Sequence, residues 1–291
     1  MNNVLLGINI RRGNLLTQHI NHQAVDLRNM TQMSTMARLG VIVFDMDDTL
    51  VDRESVYTAA QSQMLKALQR LAAKSAQIPL SISELRKVDL KLIELHKGDH
   101  MYDYVELARA LWLHFVSHMD QREAAEQAYR ENLGTKITFG PAITAARLHD
   151  RVLRNKMPRM LSSARHVLRK LKRRYFLVLF PSGDEKFQKR VIRYHCFDTF
   201  FDYVFVRRVK DLSTFKELKR LAIKLFEREL CRTPQRLVMV GDRISQDITP
   251  ASDAGFETVW IPGPYFPGNS LNGRPTHTIR KLRDLLRILP I

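Results

Sequence analysis

The sequence predicts an α/β protein, a doubly wound parallel sheet interrupted after its first strand by an all-helical insertion. Three observations carry that expectation. Residues 41–51 read Val-Ile-Val-Phe-Asp-Met-Asp-Asp-Thr-Leu-Val, an apolar run without polar alternation that stops at two carboxylates spaced two apart. Strand-length segments recur at Tyr175–Phe180, Phe201–Val206, Arg236–Val240 and Glu257–Ile261, as expected of strands covered by helices on both faces. Between the first strand and the second, residues 53–158 carry helical periodicity and no convincing strand. The expected division is an N-terminal extension (1–39), a sheet built from 40–52 and 159–291, and a helical segment (53–158).

Residues 1–39 hold Arg11, Arg12, Arg28 and Arg38 against a single acid, Asp26, with no amphipathic period. Loose packing is expected there. The segment fits either an organellar targeting peptide, which is Arg-bearing and acid-poor, or an upstream start codon, with Met33 or Met36 as the alternative start. After the first strand, Asp52 is placed to cap a helix over Arg53–Ala73. Ser81-Ile-Ser-Glu84 reads as a capping box opening a helix to Leu95, and Asp103 and Asp120 open two more, the last ending near Gly134. His96, Asp99, His100 and Asp103 lie in a polar helix-to-helix connection around Gly98, without the spacing of a metal site. A helix ending near Arg174 precedes the strand at Tyr175, Asp184 caps the next helix through His195, and a box at Thr214 and Glu217 marks a third. An amphipathic helix over Ile279–Leu289 closes the chain.

The 291 residues are enough for one large or two modest domains, and 45% hydrophobic with 26% charged residues is an ordinary globular balance. No apolar run approaches the roughly 18–20 residues a bilayer-crossing helix needs, which excludes a membrane pump. Cys196 and Cys231 lack redox or metal spacing; buried or semi-buried reduced thiols in a reducing compartment, the cytoplasm, are expected. The net charge of +17 points to an anionic partner. The stretch 151–174 is acid-free and rich in Arg and Lys, yet its apolar residues Leu161, Val167, Leu168 and Leu171 give it a buried helical face. No aromatics are interleaved for base stacking, so a solvated helix surface is favoured over a nucleic-acid patch.

The pattern of hydrophobic run, Asp45, Met46, Asp47, Asp48, Thr49, Leu50 resembles motif I of the haloacid dehalogenase (HAD) superfamily, and three later stretches extend the resemblance. Pro181-Ser182-Gly183-Asp184 stands after a strand where motif II belongs. Lys210, with Arg207 and Arg208 as alternatives, precedes a helix as motif III does. Gly241-Asp242 followed by Asp247 after the strand Arg236–Val240 matches motif IV. The resemblance covers about residues 40–290 and implies a Rossmann-like core with a helical cap at 53–158. It makes Asp45 the nucleophile and Asp47 the general acid and base. Asp45, Asp242 and the backbone carbonyl of Asp47 would hold Mg²⁺, with Asp247 a further ligand or an orienting group, and Ser182, Gly183 and Lys210 would bind phosphate. Motif II departs from the common Thr-Asn-Gly-Asp: ungapped, Thr becomes Pro181, which has neither hydroxyl nor N–H, and Ser182 supplies the hydroxyl only if the loop shifts by one. Dehalogenases of the family lack an acid at the Asp47 position, because halide leaves without a proton, so the resemblance implies a Mg²⁺-dependent phosphatase acting on a small phosphorylated metabolite. The competing reading is a catalytically weak scaffold that binds nucleic acid or protein through its basic surface.

Overall fold

The structure, a computed structural model, describes residues 38–72, 81–96, 102–134, 136–263 and 274–291. It divides into two compact units, one running up to Asp52 and resuming over Arg159–Ile291, the other Arg53–Pro158.

The first unit is built on a six-stranded parallel sheet: β1 (Gly40–Phe44), β4 (Tyr175–Leu179), β5 (Tyr203–Val204), β6 (Arg236–Gly241), β7 (Glu257–Trp260) and β8 (His277–Thr278), in the order β5-β4-β1-β6-β7-β8. The central strand β1 is fully buried from Val41 to Phe44, which is why its sequence shows no alternation. Its neighbours are in matched register, Phe44 lying opposite Leu179 on one side and Val240 on the other. The chain therefore leaves all three central strands at one edge of the sheet. Helices α6 (Ala164–Lys172), α7 (Glu185–Tyr194), α8 (Leu212–Leu230), α9 (Thr249–Asp253) and α10 (Leu285–Ile288) complete this unit. Phe215, Leu218, Ala222 and Phe226 of α8 pack onto Val41, Val43, Phe176 and Val178. Helix α6 buries Val167, Leu168 and Leu171 and leaves Arg165, Arg169 and Lys170 exposed, the amphipathic arrangement its sequence predicts.

The second unit contains α1 (Glu54–Leu71), α2 (Ile82–Leu95), α3 (Tyr104–Phe115), α4 (Gln121–Gly134) and α5 (Gly140–Asn155) around its own core, with Leu68, Leu92, Leu107 and Leu111 at its centre. Ser81 accepts from the Glu84 N–H and Asp103 from the Val105 N–H, as N-caps do, while the Glu84 carboxylate bonds Lys87 and Gln121 in place of the reciprocal bond of a capping box. The connection at Gly98, with Asp99 and His100, lies outside the described residues, as does the extension to Ala37. Among the described residues no helix is long and apolar enough to cross a membrane.

Several expectations give way. Asp52, expected at the start of α1, is also extended in a two-residue strand, β2 (Val51–Asp52), paired antiparallel with β3 (Arg159–Met160), two short strands the sequence did not announce. The strand expected at Phe201–Val206 keeps only Tyr203–Val204 in regular pairing, although the Phe205 and Arg207 N–H groups still donate to the carbonyls of Leu179 and Pro181. The cap of α8 is Asp211, which accepts from the Thr214 N–H at 2.7 Å while Thr214 Oγ1 accepts from the Asp211 N–H at 2.8 Å; Glu217 pairs with Arg207 instead. The C-terminal helix shrinks to a 3₁₀ turn and α10, because His277–Thr278 is drawn into the sheet edge and Ile279 donates to Trp260. Cys196 and Cys231 are exposed, each in a left-handed conformation beside a helix end.

The helical unit has its own core, so a cavity there should act on that unit first. Leu111→Ala removes a fully buried side chain and is expected to cost about 2–5 kcal/mol. Hydrogen exchange should show lost protection across α1–α5 with the sheet amides near wild type.

Candidate active site at the carboxyl edge of the sheet

Matched register brings the ends of β1, β4 and β6 to a common level. The Asp45 N–H donates to the Val240 carbonyl at 2.9 Å and the Phe180 N–H to the Phe44 carbonyl at 2.7 Å, so pairing persists one residue beyond the strands. Immediately past that point stand Asp45 and Asp242, buried, with Asp247 and Lys210 equally enclosed. One carboxylate oxygen from each of Asp45, Asp242 and Asp247 lies within 4.8 Å of the others. In sequence Asp45 and Asp242 are nearly two hundred positions apart, and parallel pairing is what makes them neighbours.

Asp247 reaches the cluster because Gly241 lets it. A Cβ on Gly241 would lie 2.5 Å from both Cβ and Cγ of Asp247. A π-type turn over Ile244–Ile248 carries Asp247 inward, and its Oδ2 accepts from the Arg243 N–H at 3.0 Å while Oδ1 accepts from Lys210 Nζ at 2.7 Å. The Trp260 indole N–H fixes the Asp242 carbonyl at 2.8 Å. Lys210 Nζ also bonds Asp45 and stands 5.1 Å above the Phe180 ring. Of the basic residues that precede α8, Arg207 is paired with Glu217 and stacked over Phe205, and Lys210 is the residue among the carboxylates.

Three buried carboxylates against one ammonium leave an excess of negative charge. Burial above all, opposed by Lys210 and assisted by the charges of Asp247 and Asp47, pushes the Asp45 carboxyl up to about 7. Burial and then the charges of Asp45 and Asp247 hold Asp242 well above the usual carboxylate range. Burial disfavours the Lys210 charge, but Asp247 and Asp45 outweigh it and keep it cationic. A hard, oxygen-rich donor set short of positive charge is what a small divalent cation satisfies, so Asp45, Asp242 and Asp247 fit such an ion.

The remaining residues flank this cluster. Asp47 lies in a tight turn in which Asp48 adopts a left-handed φ of 57°; its Oδ2 accepts from Gln188 Nε2 at 3.1 Å and its Oδ1 is buried without a partner. After β4, Pro181 is followed by a half-buried Ser182. Gly183, at φ 111°, directs its N–H to the Arg207 carbonyl at 3.1 Å, so in this loop the Gly183 N–H is engaged by backbone and is not directed to a ligand. Sequence reasoning missed Gln188. The signal was a polar residue on the buried stripe of α7 beside Val191 and Ile192.

The sheet order, the insertion after β1 and the acidic edge define a Rossmann-like α/β core with an acidic site at its carboxyl edge. The chain belongs to the haloacid dehalogenase-like hydrolases, whose family model matches residues 39–255. Among its relatives are a glyceraldehyde 3-phosphate phosphatase of Pyrococcus furiosus, 27% identical over 230 residues covering 78% of this chain and 82% of the relative, and the pyrimidine 5′-nucleotidase PynA of Streptococcus pneumoniae, 23% identical with 85% and 94% covered. The fold is similar to that of the HAD-hydrolase YfnB from Bacillus subtilis, solved bound to magnesium (TM-score 0.55, 19% identity, 87% of this chain and all of that one).

Because Asp45 titrates near 7 in the folded chain against an ordinary 3.8, the folded state keeps a proton between those values that the unfolded state has released. Stability contributed by this group therefore falls as pH rises across that window, and a bound cation offsets the loss. Mg²⁺ is expected to raise the melting temperature more at pH 8 than at pH 5, and Gly241→Ala, by displacing Asp247, to abolish most of the rise. Equal shifts at both pH values would contradict the cluster as the cation site.

Proposed function

We propose that this protein is a Mg²⁺-dependent phosphatase that hydrolyses a small phosphorylated metabolite through an aspartyl-phosphate on Asp45. The observation that carries the reading is the pairing of two unlike carboxylates on one turn: Asp45 buried in the charge cluster beside Lys210, and Asp47 outside it with a buried oxygen that no other group engages. A phosphatase needs both a nucleophile and a proton donor for the leaving oxygen. A dehalogenase needs only the first. The phosphatases among the relatives support the same reading.

Bound at Asp45, Asp242 and the Asp47 carbonyl, with Asp247 alongside, Mg²⁺ would offset the repulsion between the carboxylates and an anionic substrate. The chain's own groups account for the rest. Lys210, held by Asp45 and Asp247, places a fixed ammonium where charge grows on the phosphoryl oxygens. Ser182 would supply the hydroxyl of the substituted loop. Asp45 forms the new bond to phosphorus as the bond to the leaving oxygen breaks, and that oxygen takes the proton of Asp47. Asp47 then accepts a proton from the water whose oxygen cleaves the aspartyl-phosphate, restoring Asp45.

The basic exposed face of α6 favours one further reading, a scaffold of low activity that binds nucleic acid. Salt-sensitive binding to RNA or DNA with negligible phosphomonoester turnover would be its signature.

Hydrolysis of p-nitrophenyl phosphate is expected with Mg²⁺ and to be lost on chelation. Asp45→Asn should reduce it by at least about 10³-fold, since the nucleophile is removed. An Asp45→Asn enzyme with wild-type turnover would refute the assignment.

A further inference from the structure

Gln188 is 3% exposed and shares the buried stripe of α7 with Val191 and Ile192. An amide in such a place is costly unless its polar atoms are bonded; here Oε1 is buried without a partner, and the bonds of Nε2 lead to the site. Side chains on a helix lean toward its N-terminus, so Gln188, a turn beyond the Asp184 cap, reaches back over the loop that follows β4. Its Nε2 donates to the Ser182 carbonyl at 2.6 Å and to Asp47 Oδ2 at 3.1 Å. A carbonyl and a carboxylate offer acceptors alone, so the amide must turn its NH₂ group to them. The Ser182–Gly183 peptide is held at both ends, its carbonyl by Gln188 and its N–H by the Arg207 carbonyl. Asp47 Oδ1 is left buried and unbonded.

We infer that Gln188 is the positioning residue for Asp47. It ties one carboxylate oxygen to the clamped loop and thereby sets the other, Oδ1, to carry the proton for the leaving oxygen. Without that tie the carboxylate torsion has a broad range, and a proton transfer that depends on direction loses its geometry. The inference rests on the phosphatase reading above and adds a residue to it that no motif contains. It also gives the substituted loop a role. With Pro181 lacking an N–H, the loop is held through Ser182 and Gly183, and its position is relayed to the acid.

The test is the response to the leaving group. Nitrophenolate departs without a proton, whereas an alkoxide needs one. In the full-length protein with Mg²⁺, Gln188→Leu and Gln188→Glu are compared with wild type in kcat/KM for p-nitrophenyl phosphate and for glycerol phosphate. Each variant is expected to lose about 10²-fold on the alkyl ester and less than about 5-fold on the aryl ester, within the range a general acid supplies. In an Asp47→Asn background Gln188→Leu should cost less than about 2-fold more on the alkyl ester, as two residues acting through one step require. Equal losses on both esters, or full additivity with Asp47→Asn, would reduce Gln188 to a packing residue and overturn the inference. Wild-type protein inactive on both esters would fell the phosphatase reading itself, and the inference with it, a result distinct from equal losses in an active enzyme.

Discussion

Lys210 between Asp45 and Asp247 is the contact around which this structure is arranged. Each of these charges has been taken out of water at a cost of several kcal/mol, and one ammonium cannot satisfy three neighbouring carboxylates. The surroundings are what make the arrangement tolerable. The Arg243 N–H holds the second oxygen of Asp247, and the Trp260 indole fixes the carbonyl of Asp242. The bare Cα of Gly241 leaves room for a side chain that any larger residue would expel. Electrostatic tension at the strand ends is thus held by a packed sheet below, the form of preorganisation that charge-stabilising sites need.

How much of this could be read from the sequence depends on whether a residue's role is local or comes from pairing. The unbroken apolar character of Val41–Phe44 follows directly from a strand covered on both faces, and the carboxylates after it mark the edge where ligands bind in such sheets. Ser81, Asp103 and Asp184 announce their helices because a cap is made within three residues of chain. By contrast, β2, β3 and β8 are two residues each and exist only because a distant partner is in register. Gln188 was illegible for a similar reason. Its meaning lies in a bond to a residue 141 positions earlier, and a polar residue on an apolar stripe does not say what it faces.

The basic charge also looks different once folded. The acid-free run from Arg151 to Arg174 is continuous in sequence, yet the structure divides it: α5 belongs to the helical unit, whereas β3 and α6 belong to the sheet. On α6 the apolar side faces inward and the Arg and Lys residues face water. Its charge is first a property of a helix surface, and the enzyme site draws on a single buried lysine.

The two-residue ribbon of β2 and β3 has an effect out of proportion to its size. It places Val51 opposite Met160 and Asp52 opposite Arg159, so the entrance and exit of a roughly hundred-residue excursion are neighbours in the ladder. Once the helices have assembled on their own core, the remaining sheet has to close a span no longer than a hairpin, an entropic saving of about 3 kcal/mol by chain-closure scaling. The sheet unit thus reaches its own strands across a short closure, whatever the length of the chain between Arg53 and Pro158.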